Sequence, residues 1–150
     1  MNEIEKYYNK FNEDKRLKSR HGQVEFFITK IYLEKYLKKY NCKSILDVGA
    51  GTGAYSIMLA NKGFDVTAVE LVKHNLRIIE EKTKDVKCFL GNAINLKKFK
   101  DNSFDCVLLF GPLYHLFNIE DKLKALLEAK RIVKPNGLIF VSYVTNDYAI

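Results

Sequence analysis

The stretch Ile45-Leu46-Asp47-Val48-Gly49-Ala50-Gly51-Thr52-Gly53 decides how this chain folds. Apolar residues carry a buried strand to its end. Glycines at alternate positions then let the backbone turn sharply and approach a ligand closely, because no Cβ stands in the way. A helix starts directly afterwards. A strand that hands over to a helix through a glycine loop is the cofactor-binding corner of a doubly wound α/β fold.

Two kinds of cofactor fit the loop. Gly49, Gly51 and Ala54 satisfy the G-x-G-x-x-G/A spacing of dinucleotide (NAD-type) sites, in which Gly51 admits a pyrophosphate at the start of the helix. Asp47 argues the other way. Its carboxylate, two residues before the first glycine, repels a pyrophosphate and suits a ligand with an ammonium group. Glu70 ends a second apolar strand, Asp65-Val66-Thr67-Ala68-Val69-Glu70. A carboxylate at that place accepts the hydroxyl protons of a ribose, which serves either cofactor.

Strands and helices alternate around this corner. Val24, Phe27, Ile28 and Ile31 recur at helical spacing and predict an amphipathic helix over 24–40, started by Ser19 to Gly22. Residues 1–20 read as a short helix or a mobile lid. Strand 44–48 leads to a helix at 53–61 closed by Gly63, and strand 65–70 to a helix at 72–83. Strand 86–90 leads to a short helical turn near Leu96. Strand 104–110 leads to a helix at 119–133, with Asn118 as N-cap and Ile119, Leu123, Leu126, Leu127 and Lys130 on one stripe. Pro135-Asn136-Gly137 predicts a tight turn into strand 138–144. The strands are continuous apolar runs, as a parallel sheet covered on both faces requires. The fold class is α/β, Rossmann-like and doubly wound. It forms one structural domain, with a lid or helical segment at 1–43 and a cofactor-binding unit at 44–150.

The glycine loop with its leading acid resembles motif I of the class I S-adenosylmethionine (SAM) methyltransferases, and the likeness extends over nearly the whole chain. It implies SAM as cofactor and transfer of a methyl group to an acceptor, here expected to be a small molecule. It implies that Asp47 lies near the methionine moiety, that Gly49, Ala50, Gly51, Thr52 and Gly53 lie against the cofactor, and that Glu70, with Leu71 beside it, holds the ribose. Gly91-Asn92-Ala93 stands where the family usually has G-D-A. Asn92, with Ala93, is then the adenine contact, through an amide oxygen in place of a carboxylate; Asn after Gly is also an ordinary turn choice.

The run from Phe104 to Leu116 resembles motif IV and the loop that follows it. Phe110 and Gly111 then line the cofactor, and Leu113 to His115 face the transferred methyl. The Asp or Asn that amino-group DNA methyltransferases carry here is absent, which argues against methylation of a base amine by that mechanism. Tyr114 and His115 are the ionisable groups of the loop and the catalytic candidates. An imidazole, with an ordinary pKa of about 6.5, can take a proton from an attacking hydroxyl or amine; the other reading of His115 is packing near the next helix. The run Arg131 to Leu138 resembles the family's helix-turn-strand segment and reads as structural. Before the first strand, Tyr7 is placed over the cofactor and Arg20 against its carboxylate, as a guanidinium fork allows, or as a solvated charge.

The family fold continues past its fifth strand with a helix and an antiparallel strand pair. The chain reads as lacking those two strands, so strand 138–144 is expected to be an apolar edge open to self-association. A SAM-binding module without turnover and an NAD-type oxidoreductase domain stay open as alternatives.

The 150 residues suffice for one domain, and 47% hydrophobic with 29% charged residues is a globular balance. No apolar run approaches the roughly 18 residues that span a bilayer, and the acidic amino terminus lacks the pattern of a signal peptide. A cytoplasmic place without membrane contact is expected. The three cysteines show no CxxC and no metal spacing; Cys88 and Cys106 read as buried small hydrophobes. The net charge is +7, with +5 of it in residues 1–43, enough to attract a polyanion. With 21 lysines to 4 arginines, solvated lysine faces explain it better than nucleic acid binding.

Overall fold

The structure is a computed structural model that describes residues 19–143. Tyr7 lies outside the described residues. Helix α1 (Arg20–Lys39) is capped by Ser19, whose Oγ accepts the Gly22 N–H at 3.1 Å. There follow β1 (Ser44–Val48), α2 (Ala54–Ala60), β2 (Asp65–Glu70), α3 (Lys73–Lys82), β3 (Val86–Leu90), β4 (Phe104–Leu109), the one-turn α4 (Pro112–His115), α5 (Ile119–Ile132) and β5 (Val133–Val141). All strand pairs are parallel and their order is β3-β2-β1-β4-β5. The order reverses between β1 and β4, which puts the ligand crevice beyond the carboxyl end of β1.

Both faces of the sheet are covered. On one, α1, α2 and α3 bury Leu33, Leu37, Leu59 and Ile79 against Ile45, Val66, Ala68 and Leu108. On the other, α5 lays Ala125, Ala129 and Ile132 on Leu46, Val48, Val107 and Leu109. Two of the three α5 residues buried there are alanines. At the amino ends of the strands Asp105 ties β4 to β1 and β5. Its carboxylate accepts from the Lys43 and Ser44 N–H groups, both at 2.8 Å, and pairs with Lys134 at 2.8 Å. Burial alone raises the Asp105 carboxyl; the hydrogen bonds from Lys134, Ser44 and Lys43 outweigh it and hold the group below the usual carboxylate range.

Both amphipathic stripes need correction. In α1 the core side is Gly22, Leu33 and Leu37, while Val24, Phe27, Ile28 and Ile31 point outward, Phe27 with 61% of its surface exposed. In α5 the core side is Ala125, Ala129 and Ile132; Leu126 packs at its margin, and Ile119, Leu123 and Leu127 are exposed. In both helices the bulky apolar residues drew the expectation, but small residues or a single pair of leucines make the contact. The tight turn at 135–137 is instead a bulge within β5. Register advances from Val133 to Leu138 while β4 advances only from Phe104 to Cys106, and Asn136 takes the left-handed conformation (φ 64°). The region of Leu96 is turn rather than helix. It is clamped by α5: Glu128 accepts the Leu96 N–H at 2.6 Å, and Arg131 donates to the Leu96 and Phe99 carbonyls. Cys106 and Cys42 are buried, whereas Cys88 is only half-buried. No helix among the described residues is long and apolar enough to cross a membrane.

Candidate functional site

The carboxyl ends of β1, β2, β3 and β4 bring the predicted residues to one edge of the sheet. Gly49, Gly51 and Gly53 all have positive φ, at 74°, 56° and 84°. Two of these positions are also closed to side chains. A Cβ on Gly49 would stand 2.7 Å from Pro112 Cδ, and one on Gly53 would stand 2.7 Å from Ile79 Cγ1. The loop is therefore packed between the β4–α4 corner and α3, and its inner face is left to backbone. The Gly49 and Ala50 N–H groups donate to the Val69 carbonyl at 2.7 and 3.2 Å. Thr52 is buried within the loop and Ala50 half-buried.

Asp47 lies inside β1 with 2% of its surface exposed. Ser56, from the first turn of α2, donates its hydroxyl to Asp47 Oδ2 at 2.6 Å. The Asp47 carboxyl is raised to about 6: burial pushes it up, the Ser56 contacts pull it back in part, and the nearby Glu70 charge adds to the rise. Glu70 is buried as well. Its two oxygens accept the Gly51 N–H at 2.8 Å and the Val72 N–H at 2.9 Å. Burial raises the Glu70 carboxyl, and the Val72, Gly51 and Asn75 contacts recover only part of that cost. Neither carboxylate has a lysine or arginine partner among the described residues, so two acidic groups share a dry corner with no cation.

Asn75 is a candidate site residue that no sequence motif signals. It is buried in the first turn of α3 beside the Glu70 carboxylate. Its Nδ2 lies close enough to the Glu70 carboxylate to favour the charged form, yet no well-formed hydrogen bond satisfies it among the described residues. A buried donor without an acceptor is costly, and here it stands next to the group expected to hold a ribose. Periodicity gives no sign of it, because an Asn in a first helical turn is unremarkable until the fold places it against Glu70.

Leu71 follows Glu70 and is half-buried. Asn92 and Ala93 lie beyond β3, with Ala93 in the core. The Asn92 side-chain oxygen accepts the Ile94 N–H at 3.2 Å, so the turn role is present in the structure. Phe110 and Gly111 leave β4, and Phe110 meets Tyr55 edge-on at 4.9 Å between ring centres. Tyr55 in turn meets Phe26 at 5.0 Å. This aromatic wall from α1 through α2 to the β4 loop is a second feature without a sequence signal, since its members are far apart in the chain. His115 ends α4 half-buried, and Tyr114 projects from the same turn. Arg20 is exposed at the first residue of α1, and among the described residues no hydrogen bond or ion pair ties it to the glycine loop.

Residues 46–141 match the family model described as a methyltransferase domain. A demethylmenaquinone methyltransferase of Renibacterium salmoninarum is 38% identical over 99 residues, which cover 65% of this chain and 40% of the relative. A glycine/sarcosine N-methyltransferase of Parasynechococcus marenigrum is 28% identical over 131 residues, covering 84% of this chain and 44% of the relative. The crystal structure of a SAM-dependent methyltransferase from Methanosarcina mazei is 25% identical with a TM-score of 0.62, over 69% of this chain and 55% of that one. The chain spans less than half the length of these two curated relatives.

Proposed function

The chain belongs to the SAM-dependent methyltransferase family, and from that premise we propose that this domain binds SAM and presents its methyl group to a small-molecule acceptor over the β4–α4 loop. The observation that carries the reading is the pair of buried carboxylates, Asp47 and Glu70, without a cation. A ligand bearing positive charge relieves that corner, whereas a pyrophosphate laid on the same loop would add two negative charges to it. The residues fit SAM at each end. Asp47 accepts from an ammonium group, Glu70 accepts from ribose hydroxyls, and the Asn75 amide donates to a ribose oxygen. When bound, SAM supplies a methyl carbon made electrophilic by the attached sulfonium. The protein's share is then to align the acceptor and keep water out, which requires no strongly basic side chain. Phe26, Tyr55 and Phe110 supply an apolar wall for that purpose.

Calorimetry with S-adenosylhomocysteine and with NADH tests the reading. S-adenosylhomocysteine is expected to bind and NADH to give no heat. Tight binding of NADH together with silence toward S-adenosylhomocysteine would overturn it.

The partner side of the reading is a second copy of the chain. Among the described residues β5 pairs on one side only, with β4. Its first half is protected by Lys134, Pro135 and the bulge. Leu138-Ile139-Phe140-Val141 carries no charge and no proline, and 37% of Ile139 is exposed. Uncovered edges of that composition pair with other chains. Sedimentation is expected to show association that grows with protein concentration and is suppressed by Ile139→Lys; a monomer at every concentration would count against the idea.

A further inference from the structure

The phenol of Tyr114 has a fixed hydrogen-bond polarity. The Ser142 hydroxyl, just beyond the end of β5, donates to the Phe110 carbonyl at 2.7 Å. A carbonyl oxygen only accepts, so the single Ser142 proton is committed to it. The Tyr114 Oη lies 2.7 Å from Ser142 Oγ. With the serine proton already used, the tyrosine proton must point at Ser142. The chain therefore runs Tyr114 O–H to Ser142 O–H to Phe110 C=O. What the Tyr114 oxygen has left is lone pairs. It accepts hydrogen bonds and donates none outward.

The place of this oxygen matters. Tyr114 is 40% exposed on α4, the turn that follows Gly111 and packs against the glycine loop through Pro112. Ser142 is anchored by its own N–H to the Leu109 carbonyl at 3.2 Å. The hydroxyl pair thus stands over the carboxyl ends of β4 and β5. Under the function proposed above, the adenosine side of the cofactor belongs to β2 and β3, where Glu70 and Asn92 lie. The β4–β5 side is then the side from which an acceptor approaches.

We propose that Tyr114 is a specificity residue that accepts a hydrogen bond from the methyl acceptor, and that Ser142 positions it by taking up its proton. The acceptor is then a molecule that presents an N–H or O–H donor beside the atom to be methylated, an amine or a hydroxyl compound. This rests on the methyltransferase reading, and it assigns Tyr114 a role other than proton transfer. An oxygen held as a pure acceptor orients such a donor but has no proton to give.

Matched probes test this on the chain loaded with S-adenosylhomocysteine. Sarcosine is paired with glycine betaine, which has the same charges but no N–H. Catechol is paired with its dimethyl ether, which has the same ring but no O–H. In at least one pair the donor-bearing member is expected to bind about tenfold more tightly, the order of one net hydrogen bond. Tyr114→Phe removes the accepting oxygen and should erase the preference. Ser142→Ala keeps that oxygen and should retain most of it. A mere latch between α4 and β5 would make the two variants behave alike. Equal behaviour of the variants, or no preference in either pair, overturns the proposal. Failure of S-adenosylhomocysteine itself to bind would instead overturn the underlying reading of the cofactor site. Tyr114 is partly exposed, so both variants are expected to melt within a few degrees of the parent.

Discussion

Replacing Asp47 by Asn should make the ligand-free protein more stable at neutral pH and strip it of most of its affinity for SAM. The carboxylate is buried with one partner residue, Ser56, and no cation. Burial raises it from 3.8 to about 6, and each pKa unit is worth about 1.4 kcal/mol. The sign follows from the direction of the shift. Because the folded-state value lies above the unfolded one, the folded protein binds the proton more tightly. The penalty is absent below ~4, grows as the pH rises toward 6, and is complete above it. At pH 7 it amounts to about 3 kcal/mol, or several degrees of melting temperature for a chain of this size. Asn keeps an oxygen for the Ser56 hydroxyl, but its NH2 adds a buried donor where Asp47 also accepts from the Ser56 backbone, so the gain is reduced by about 1–3 kcal/mol and is smaller than the full penalty. Scanning calorimetry from pH 4 to pH 8 should show the parent losing stability along that range and the variant losing less. The same titration predicts that SAM binds more weakly below pH 6, where Asp47 takes up a proton. Removing the acidic partner of a buried ammonium costs a few kcal/mol, so affinity should fall by at least about a hundredfold in the variant. A parent whose stability does not fall between pH 4 and pH 8 would mean that Asp47 already has a positive partner.

Strand, glycines and helix were readable because the backbone conformations they demand are local: positive φ at Gly49, Gly51 and Gly53 needs no knowledge of the rest of the chain. The parallel order follows from apolar strands separated by helices. The places of Asp47 and Glu70 are legible because strand ends fix where they stand in the sheet. Contacts between distant segments are not. Asn75 matters only because α3 lands beside Glu70, and Ser142 only because β5 ends level with the β4–α4 turn. The helix stripes failed for a related reason. Spacing identifies an apolar face, but α5 meets the sheet through Ala125 and Ala129, and nothing in a hydropathy pattern favours alanines over the leucines beside them. Pro135-Asn136-Gly137 suits a tight turn and a bulge equally well, and only the pairing with β4 decides between them.

Glu70→Gln should behave unlike Asp47→Asn, although both remove a buried acid from the same corner. The difference lies in the donors. Asp47 is met by Ser56 alone, while the Glu70 oxygens each satisfy a separate backbone N–H, Gly51 in the glycine loop and Val72 at the start of α3. A glutamine has one accepting oxygen, and its NH2 faces the second N–H with a donor. One of the two amides is then orphaned, at a cost of about 1–3 kcal/mol. That offsets what is gained by removing the charge, so the melting temperature should not rise. Because Glu70 ties the loop to β2, amide exchange should accelerate at Gly51 or Val72 and stay unchanged at Cys106 in the sheet centre. Cofactor affinity should fall as well. The ribose hydroxyls lose a charged acceptor, each such hydrogen bond being worth about 1.5–3 kcal/mol, which is at least tenfold in affinity. A Glu70→Gln protein that gains as much stability as Asp47→Asn would show that the carboxylate is a buried charge like the other and does not brace the loop. A loss of stability with affinity intact would show that it braces the loop and touches no ligand. Only the combination of unraised stability, faster loop exchange and lost affinity fits a single side chain that builds the corner and then offers its remaining lone pairs to the ribose.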